Sequence, residues 1–393
     1  MREILESAVA SAPVRTSNFP PPSAIPYTRA VLEPLTNQLT QGGALSDEQI
    51  QAAVGHLAEE EVALESKADF LTALARKGES AGEIAAFARE LRDRSIRPPL
   101  DPATRAREIL DVCGTGGDRL NTFNISTTVS LVAAAAGVTV AKHGNRAVTS
   151  QAGSADVLEA LGVRIDLGPE EAVCWLRDHH FAFFFAPKYH PAFRHIAPAR
   201  KLCAERGQRT IFNFLGPLLN PARPSAQLIG VPRAELCEPI ARVLQSLGVR
   251  RGMVVSGRVP SCASRGSGSK AGASNGAAFL DELSTLGESF VVEFYQERGF
   301  AASVLSPEQF PLQPALLLDL GGSDRDTNAR IVRRIIQGEE RGPKRDAVLL
   351  NAAAALFVAD KAKSLIGGWD LAAEVIDRGQ AAAKLAEIVS ASR

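Results

Sequence analysis

From residue 105 onward, short apolar runs alternate with stretches of helical periodicity, and this alternation limits the chain to few architectures. The runs short enough to be buried strands are residues 109–113, 138–141, 164–167 and 181–185. The helical stretches between them are residues 126–136, 154–161 and 169–179. Strands separated by helices pair in parallel and are covered by helices on their faces. The pattern therefore predicts an α/β domain with a mainly parallel sheet flanked by helices.

The C-terminal half continues this pattern with fewer strands. Strands are predicted near residues 226–231 and 253–256, and helices near 234–247, 327–337, 346–360 and 370–390. A different pattern precedes residue 105, because residues 29–98 contain only helical segments, one of which begins at Ser46. The chain is therefore expected to carry a small all-helical domain before the large α/β domain.

Two segments differ from the folded pattern. Residues 1–28 are rich in proline and serine, which predicts a tail rather than a packed element. Residues 258–277 are almost wholly small and polar without periodicity, which predicts a flexible loop. Both segments are interpreted as additions to a two-domain protein.

Charge and cysteine usage exclude several classes of protein. The chain has 44 basic and 44 acidic residues, and this balance argues against binding to nucleic acid or to a membrane surface through a basic excess. No apolar run reaches the roughly 18 residues of a membrane helix. The five cysteines form no CxxC pair, which favours reduced thiols and a cytoplasmic location. Neither a nucleic acid nor a membrane is therefore expected as a partner.

A glycine-rich turn follows the strand predicted at residues 109–113. It reads GTGGD at 114–118, and a helix begins shortly after it, near Ser126. Backbone N–H groups of such a turn, together with a helix N-terminus, can bind a phosphate. No Gly-Lys-Ser or Gly-Lys-Thr follows, and Arg119 replaces the last glycine of GxGxxG, so the turn is neither a Walker loop nor a dinucleotide fingerprint. A plain tight turn before a capped helix is the alternative.

A basic segment, KHGNRAVTS at 142–150, follows the next predicted strand. Ligands collect at the carboxyl ends of parallel strands, so Lys142 and Arg146 are expected near the glycine-rich turn. Two cations and several hydroxyl groups suit a diphosphate, and Ser154 begins another helix that can hold a further phosphate. The alternative is a solvated basic loop.

An acidic pair and one arginine complete the set of candidate site residues. Asp281 and Glu282 lie in FLDELS at 279–284, and such a pair can bind Mg²⁺ while leaving other positions to water and phosphate. An exposed acidic turn is the alternative. Arg200 lies in APARK at 197–201, and its guanidinium matches a carboxylate bidentately, unless it is a solvent-facing helix residue.

Several long motifs occur along the chain. They are GTGGD at 114–118, NTFNIST at 121–127, KHGNRAVTS at 142–150, GSADVLEALGV at 153–163, FAPKYHP at 185–191, RTIFNFLGPLLNPARP at 209–224 and GPKRDAVLLNAAAAL at 342–356. In these motifs the chain resembles the anthranilate phosphoribosyltransferases, which belong to the nucleoside-phosphorylase-like phosphoribosyltransferases. The resemblance covers roughly residues 30–390.

The resemblance implies a domain organisation and an activity. The small helical domain comprises residues 29–99 with roughly 188–207, and residues 100–187 and 208–393 form the large α/β domain. Family members are typically homodimers joined through the helical domain. They transfer the phosphoribosyl group of phosphoribosyl pyrophosphate (PRPP) to the amine of anthranilate, with Mg²⁺ as cofactor. This reaction is the second step of tryptophan biosynthesis from chorismate.

The resemblance also assigns residues to ligands. The PRPP-binding positions are matched by Gly114, Gly117, Asp118, Thr122, Asn124, Ser126, Thr127, Lys142, His143, Gly144, Asn145, Arg146, Ala147, Val148, Thr149, Ser150 and Ser154. The anthranilate-binding positions are matched by Gly114, Asn145 and Arg200. The Mg²⁺-binding positions are matched by Ser126, Asp281 and Glu282.

Two stretches depart from the family pattern. The family has a short His-Gly turn and then Asp-Gly-Leu-Asp-Glu, whereas this chain has Ser256, Gly257, the inserted segment and then the acidic pair. The interval between Arg200 and Arg209 is also longer than in the family.

Three other functions stay open. A pyrimidine nucleoside phosphorylase shares the fold but has a Lys-His-Ser-Thr-Gly-Gly type of loop in place of KHGNR. A transferase with the same mechanism can act on another aromatic acid. A non-catalytic paralogue that binds a ligand is expected to lose the glycine-rich turn or the acidic pair, and this chain has both.

Overall fold

The computed structural model describes residues 31–147, 151–260 and 278–393. The predicted tail at 1–28, residues 261–277 of the predicted insertion, and Val148, Thr149 and Ser150 lie outside the described residues. No helix within the described ranges is both long enough and apolar enough to span a bilayer.

The described chain begins with a group of helices: α1 (Glu33–Thr40), α2 (Asp47–Ala58), α3 (Leu64–Lys77) and α4 (Ala81–Asp93). Two of them begin with capping boxes, in which Ser46 accepts a hydrogen bond from the Gln49 N–H and Ser80 accepts one from the Glu83 N–H. These bonds satisfy backbone donors that a helix start leaves without partners. The apolar faces of the helices are buried against one another, as the sequence pattern before residue 100 predicts.

The remaining elements follow in chain order. Up to the insertion they are α5 (Pro102–Ala106), β1 (Ile109–Gly114), α6 (Ile125–Ala135), β2 (Thr139–Gly144), α7 (Ser154–Ala160), α8 (Pro169–His179), β3 (Phe181–Phe185), α9 (Ala186–Tyr189), α10 (Phe193–Glu205), α11 (Phe212–Leu215), β4 (Ala226–Gly230), α12 (Cys237–Ser246) and β5 (Arg251–Val259). After it they are β6 (Ala278–Leu280), β7 (Ser289–Tyr295), β8 (Gly299–Leu305), α13 (Arg325–Ile336), α14 (Pro343–Val358), α15 (Leu365–Asp377) and α16 (Gln380–Ala391).

The strands of the described ranges form one sheet in the order β3–β2–β1–β4–β5–β7–β8, and β6 also pairs with β5. The first five of these are parallel, with Leu110 opposite Ala226 and Ile229 opposite Val254. β6, β7 and β8 pair antiparallel. The predicted fold class is confirmed: a small helical domain accompanies an α/β domain with a mainly parallel sheet. The carboxyl ends of β1, β2 and β4 therefore meet at one edge, where ligands of such sheets bind.

Two predicted elements differ in the structure. The strand predicted at 164–167 pairs with no strand of the described chain, although Ile165 and Leu167 are buried and Asp166 is exposed. Buried and exposed residues alternate because one face of the segment packs on the interior, while its backbone pairs with no neighbouring strand of the described chain. The helix predicted at 370–390 is divided into α15 and α16, because Gly379 takes a left-handed conformation with φ 72°.

The antiparallel strands were not predicted from the sequence. Arg258 and Val259, which the prediction placed in the insertion, belong to β5 and pair with Phe279 and Ala278 of β6. This pairing joins residues on either side of 261–277, so no local pattern indicates it. The acidic pair follows β6 directly, and the strand pairing therefore determines where the carboxylates lie.

Two apolar clusters fill the interior. The first packs β1, β2 and β3 against α6, α7, α8 and the C-terminal helices α13–α16. The second joins the N-terminal helices and α10 to α12 and to one face of β4, β5 and β7. Ile229, Val254 and Phe294 supply the sheet's part of this second cluster. The helical bundle thus shares its core with the sheet.

Candidate active site

The glycine-rich turn leaves β1 at the carboxyl edge of the sheet. Gly114 ends β1, and the Thr115 N–H donates to the carbonyl of Gly230 at the end of neighbouring β4, at 3.0 Å. α6 follows with Asn124 as its N-terminal cap residue, and its first turn carries Ser126. The turn therefore has the strand–turn–helix context that a phosphate cradle requires.

The acidic pair packs directly against this turn. Asp281 Oδ2 accepts a hydrogen bond from the Gly116 N–H at 2.5 Å, although 165 residues separate the two along the chain. A Cβ at Gly114 would lie 2.5 Å from Asp281 Oδ2, and a Cβ at Gly230 would overlap the Asp281 carbonyl. Glycine is required at both strand ends, because the acidic segment lies on their backbone.

The carboxylates of Asp118, Asp281 and Glu282 interact with one another beside the turn. Burial, and then the charge of Asp118, raise the pKa of Asp281 well above its usual range. Burial raises the pKa of Glu282 to about 8, although the charge of Lys142 opposes this shift. Asp281 and Glu282 are each 8% exposed, so the alternative of an exposed acidic turn is wrong. These shifts favour the neutral acids, and a nearby cation would favour the charged carboxylates.

Lys142 is a buried cation at the same edge. It is 1% exposed, and its ammonium donates to the carbonyl of Val112 at 2.8 Å and lies 3.5 Å from Ser126 Oγ. Burial lowers the pKa of Lys142, while the charge of Asp111 opposes that shift. Lys142 is therefore not part of a solvated loop, and its ammonium lies between β1 and the start of α6.

Asp111 holds the end of β2 in place. Its carboxylate accepts hydrogen bonds from Asn220 Nδ2 at 2.8 Å and from the His143 N–H at 3.3 Å. Asn220 Nδ2 also donates to the carbonyl of Ala141 at 2.7 Å. Burial raises the pKa of Asp111 to about 6, although the charge of Lys142 opposes the shift. The Asp111–Asn220 pair thus positions the backbone on either side of Lys142.

The segment after β2 folds back onto α7. Arg146 forms ion pairs with Asp156 and Glu159 of α7, each at 2.9 Å. Ser154, at the start of α7, donates to the carbonyl of Asn145 at 3.4 Å. The guanidinium of Arg146 therefore holds this segment on α7.

A row of aromatic rings joins Arg200 to this edge of the sheet. The Arg200 guanidinium lies over the Phe212 ring, 5.1 Å from its centroid. Ring contacts continue through Phe193 and His190 to His143, with centroid distances of 5.5, 5.6 and 5.2 Å. Burial alone lowers the pKa of Arg200, and no carboxylate of the described chain acts on it. A guanidinium with no carboxylate partner in the described chain suits the carboxylate of a ligand.

The donor set fits a divalent cation that shares its ligands with a substrate. Ser126, Asp281 and Glu282 offer the oxygen donors that Mg²⁺ prefers. Within the described ranges, no three His, Cys, Asp or Glu side chains are arranged to hold a metal by themselves. Mg²⁺ usually takes one or two carboxylates and completes its shell with water and phosphate oxygens. The buried carboxylates therefore fit a cation that binds together with a diphosphate.

Most of the residues selected from the sequence lie in one place. Those on the turn and the start of α6 are Gly114, Gly117, Asp118, Thr122, Asn124, Ser126 and Thr127, and those at the end of β2 are Lys142, His143, Gly144, Asn145, Arg146 and Ala147. Val148, Thr149 and Ser150 lie outside the described residues. Thr127 is 1% exposed, so its side chain belongs to the interior.

Several residues of the site were not singled out from the sequence. Asp111 and Asn220 hold Lys142 in place, and His190 and Phe193 belong to the aromatic row. The local sequence gives one indication for Asp111, because it is a charged residue inside an otherwise apolar strand. A carboxylate buried in this way needs hydrogen-bond partners. No local pattern indicates the role of Asn220, because its partner Asp111 lies 109 residues away.

Two family models match the chain. The glycosyl transferase family a/b domain matches residues 106–382, and the glycosyl transferase family helical bundle domain matches residues 33–95. Curated relatives cover almost the whole chain. The anthranilate phosphoribosyltransferase of Alkaliphilus metalliredigens is 43% identical over 350 residues, which is 89% of this chain and 95% of the relative. That of Caulobacter vibrioides is 42% identical over 360 residues, 92% of this chain and 97% of the relative.

Solved structures agree with these relatives. The anthranilate phosphoribosyltransferase of Thermus thermophilus superposes with a TM-score of 0.77 at 41% identity, covering 90% of this chain and 98% of that one. The Saccharomyces cerevisiae enzyme in complex with PRPP and Mg superposes with a TM-score of 0.79 at 26% identity, covering 92% and 98%. With relatives above 40% identity over nine-tenths of its length, the chain belongs to the anthranilate phosphoribosyltransferase family.

Proposed function

We propose that this chain transfers the 5-phosphoribosyl group of PRPP to the amine of anthranilate. The products are N-(5-phosphoribosyl)anthranilate and pyrophosphate, and the reaction is the second step of tryptophan biosynthesis from chorismate. The observation that carries the proposal is the strand-end site, where the buried cation Lys142 faces a glycine-rich turn and two buried carboxylates. Relatives at 43% identity are anthranilate phosphoribosyltransferases.

PRPP is proposed to bind along the carboxyl edge of β1 and β2. The residues assigned to it are Gly114, Gly117, Asp118 and Thr122 of the turn, Asn124, Ser126 and Thr127 at the start of α6, residues 142–150, and Ser154. Three features support this assignment: the N–H groups of a glycine-rich turn, a helix N-terminus and a buried ammonium are each suited to phosphate oxygens. The PRPP complex of the yeast relative is a second support.

Mg²⁺ is proposed to bind at Ser126, Asp281 and Glu282. The support is the excess of buried carboxylates over cations, together with the Mg in the structure of the yeast relative. A bound Mg²⁺ supplies positive charge to the pyrophosphate oxygens as the bond to ribose breaks. Asp281 is held for this role by the Gly116 N–H, which fixes one of its oxygens against the turn.

The reaction is a substitution at C1 of the ribose. The C1–oxygen bond breaks, its electron pair stays on pyrophosphate, and C1 takes on oxocarbenium character. Lys142 and the N–H groups of the turn stabilise the charge that builds on the leaving group. The nitrogen lone pair of anthranilate forms the new bond from the opposite face, and the nitrogen then loses a proton to water. An aromatic amine is unprotonated at neutral pH, so no base is needed before the attack.

Anthranilate is proposed to bind between Gly114, Asn145 and Arg200. The unpaired guanidinium of Arg200 would receive the carboxylate as a fork. The ring of Phe212 lies under the Arg200 guanidinium and holds it in place, 5.1 Å from its centroid. Holding the amine near C1 supplies much of the rate, since orientation replaces a bimolecular encounter.

The loss of anthranilate fluorescence on addition of PRPP and Mg²⁺ tests the activity. We expect the signal to fall with the wild-type protein and to stay constant when PRPP is left out. The double variant Asp281→Asn, Glu282→Gln should need far more Mg²⁺ for the same rate. A folded wild-type protein that leaves the fluorescence unchanged would refute the proposal, and an unchanged Mg²⁺ titration of the variant would refute the metal assignment.

Assembly and location are proposed by analogy with the family. We propose a homodimer joined through the helical domain, where Val31, Leu64 and Ile96 are exposed large apolar side chains. Two chains per particle in sedimentation equilibrium would support this, and a monomer would contradict it. A cytoplasmic location is proposed because Cys113, Cys174, Cys203 and Cys237 carry free thiols.

The domain division is also a proposal. Residues 29–99 with roughly 188–207 are assigned to the helical domain, and residues 100–187 and 208–393 to the α/β domain. Packing of α10 on α2 and α3 supports the inclusion of the second segment. The hydrogen bond from the Cys203 thiol to the Ala68 carbonyl, at 3.5 Å, is one such contact.

A further inference from the structure

Asn328 of α13 is a buried polar residue to which neither the motifs nor the reaction gives a role. It is 2% exposed, and both ends of its amide are used. Its Nδ2 donates to Oδ1 of Asn124 at 2.9 Å, and its Oδ1 accepts from the Ser323 N–H at 2.8 Å. The Ser323 N–H determines which end of the amide faces Asn124, because only an oxygen can accept that bond.

Asn124 is held from two sides as a result. Its Oδ1 receives the bond from Asn328, and its Nδ2 donates to the carbonyl of Ala152 at 3.3 Å. Asn124 is the cap residue of α6, yet its side chain makes no capping bond to that helix. The orientation of its amide is therefore set by Asn328 and Ala152 instead of by the helix it precedes.

The surrounding backbone makes this arrangement rigid. The Phe123 N–H donates to the carbonyl of Leu320 at 3.0 Å, and the Gly322 N–H donates to the carbonyl of Asn121 at 2.9 Å. Residues 320–323 thus lie along residues 121–123, immediately before Asn124. Asn124 joins this pair of segments to the turn at 151–153, which leads into α7, and Asn328 holds the Asn124 amide in that position.

We propose that Asn328 is a positioning residue for the PRPP site, which orients the Asn124 amide and ties the start of α6 to the turn before α7. The proposal rests on the proposed function, because it takes Asn124 to bind PRPP. Asn328 itself lies behind Asn124 and is not assigned a contact with the substrate. Its effect therefore passes through Asn124.

A double-mutant cycle tests this route. Asn328→Ala should raise the KM for PRPP about tenfold, the effect of losing one buried hydrogen bond that orients a ligand. The KM for anthranilate should change less than about twofold. In the Asn124→Ala background, Asn328→Ala should have no further effect on the KM for PRPP, since the group that it orients is gone.

The control is Gln245→Ala, which removes a half-buried side-chain bond from α12 to the Tyr295 carbonyl, at the edge of the sheet where β5 begins and away from the site. It should lower stability without changing either KM. If Asn328→Ala does not fold, Asn328→Asp carries the same test, because it keeps the acceptor for Ser323 but places an oxygen against Asn124 Oδ1.

Two results would overturn the proposal. One is a KM for PRPP that Asn328→Ala leaves unchanged. The other is additive effects of Asn124→Ala and Asn328→Ala, which indicate a general structural role. The wild-type rate in the same assay reports on the proposed function alone. An active wild type with additive variants overturns only the role of Asn328, whereas a wild type that does not consume anthranilate overturns both.

Discussion

At the scale of single residues, the site depends on a cation that is buried before any substrate arrives. Lys142 is 1% exposed, with Asp111 and Glu282 as the opposite charges near it. A lysine in this position has given up most of its hydration, so a phosphate can replace the lost water at little further cost. Its hydrogen bond to the Val112 carbonyl keeps the ammonium at the strand end.

Replacing Lys142 with methionine removes the charge and keeps the length of the side chain. We expect Lys142→Met to raise the KM for PRPP about 100-fold, because a charge-assisted bond to the pyrophosphate is lost. Steady-state kinetics at saturating anthranilate measure this. Lys363→Met, at a lysine that is 85% exposed, is the matched control and should behave as wild type. A Lys142→Met protein with an unchanged KM for PRPP would show that the ammonium does not hold the substrate.

Arg200 makes a separate prediction about the second substrate. Arg200→Ala should raise the KM for anthranilate by about 10-fold to 100-fold, since the fork that receives the carboxylate is lost. The KM for PRPP should change far less. Arg200→Lys keeps the charge without the fork and should be intermediate. Equal increases in both KM values would contradict the assignment of Arg200 to the carboxylate.

At the scale of elements, the site is an edge where three strands end and one helix begins. β1 and β4 end in glycines that touch the acidic segment, and the end of β2 carries Lys142. β6 pairs with the carboxyl end of β5, and this pairing places Asp281 at the same edge. The carboxylates are thus placed by strand pairing rather than by their own neighbours in sequence.

Gly230→Ala tests this placement without removing any carboxylate. A methyl group there would overlap the Asp281 carbonyl, so the acidic segment must shift. We expect the Mg²⁺ concentration for half-maximal rate to rise at least about tenfold, and the melting temperature to fall by several degrees. Gly55→Ala in α2, where a Cβ meets only Arg94 Nη2 at 3.6 Å, is the control. A Mg²⁺ titration of Gly230→Ala that matches wild type would show that β4 does not position the pair.

The aromatic row joins the end of β2 to α10 through two buried histidines. Burial lowers the pKa of His143 to about 3, and burial lowers the pKa of His190 to about 4. In the unfolded chain His190 would have its ordinary pKa of 6.5. The unfolded chain therefore binds protons that the folded chain does not, and stability falls as the pH drops from about 6.5 towards about 4.

His190→Gln should reveal this linkage. The variant loses packing in the row and is destabilised at pH 7.5, where the histidine is neutral in both states. At pH 5 the destabilisation of the variant relative to wild type should be about 2 kcal/mol smaller than at pH 7.5. Only wild type loses stability at pH 5 through protonation of His190 in the unfolded chain. Urea unfolding of both proteins at the two pH values measures the difference. A destabilisation that is the same at pH 5 and pH 7.5 would show that His190 titrates normally in the folded protein.

At the scale of the whole molecule, a chain with no net charge is proposed to bind a polyanion. The charges that matter are local: Lys142 is buried among carboxylates, and Arg146 is tied to Asp156 and Glu159. The chain therefore needs no basic surface to bind PRPP. The balance of charge excludes a general polyanion binder but not a specific site.

The sequence predicts the parts of this molecule that are local. The alternation after residue 105 predicts the parallel sheet, and contiguous motifs predict the turn and Lys142. Contacts between distant segments were missed, because no pattern reports them: Asn328 meets Asn124 across 204 residues, and Asp111 meets Asn220 across 109. β6 was missed for the same reason, as its partner lies beyond the insertion.

The proposed reaction joins the ribose of PRPP to the nitrogen of anthranilate at this strand edge. Proton and phosphorus NMR of a reaction with PRPP, anthranilate and Mg²⁺ test it most directly. We expect a new C1–nitrogen bond with inversion at C1 and one pyrophosphate released for each anthranilate consumed. Recovery of unchanged anthranilate while PRPP is hydrolysed to ribose 5-phosphate would contradict it.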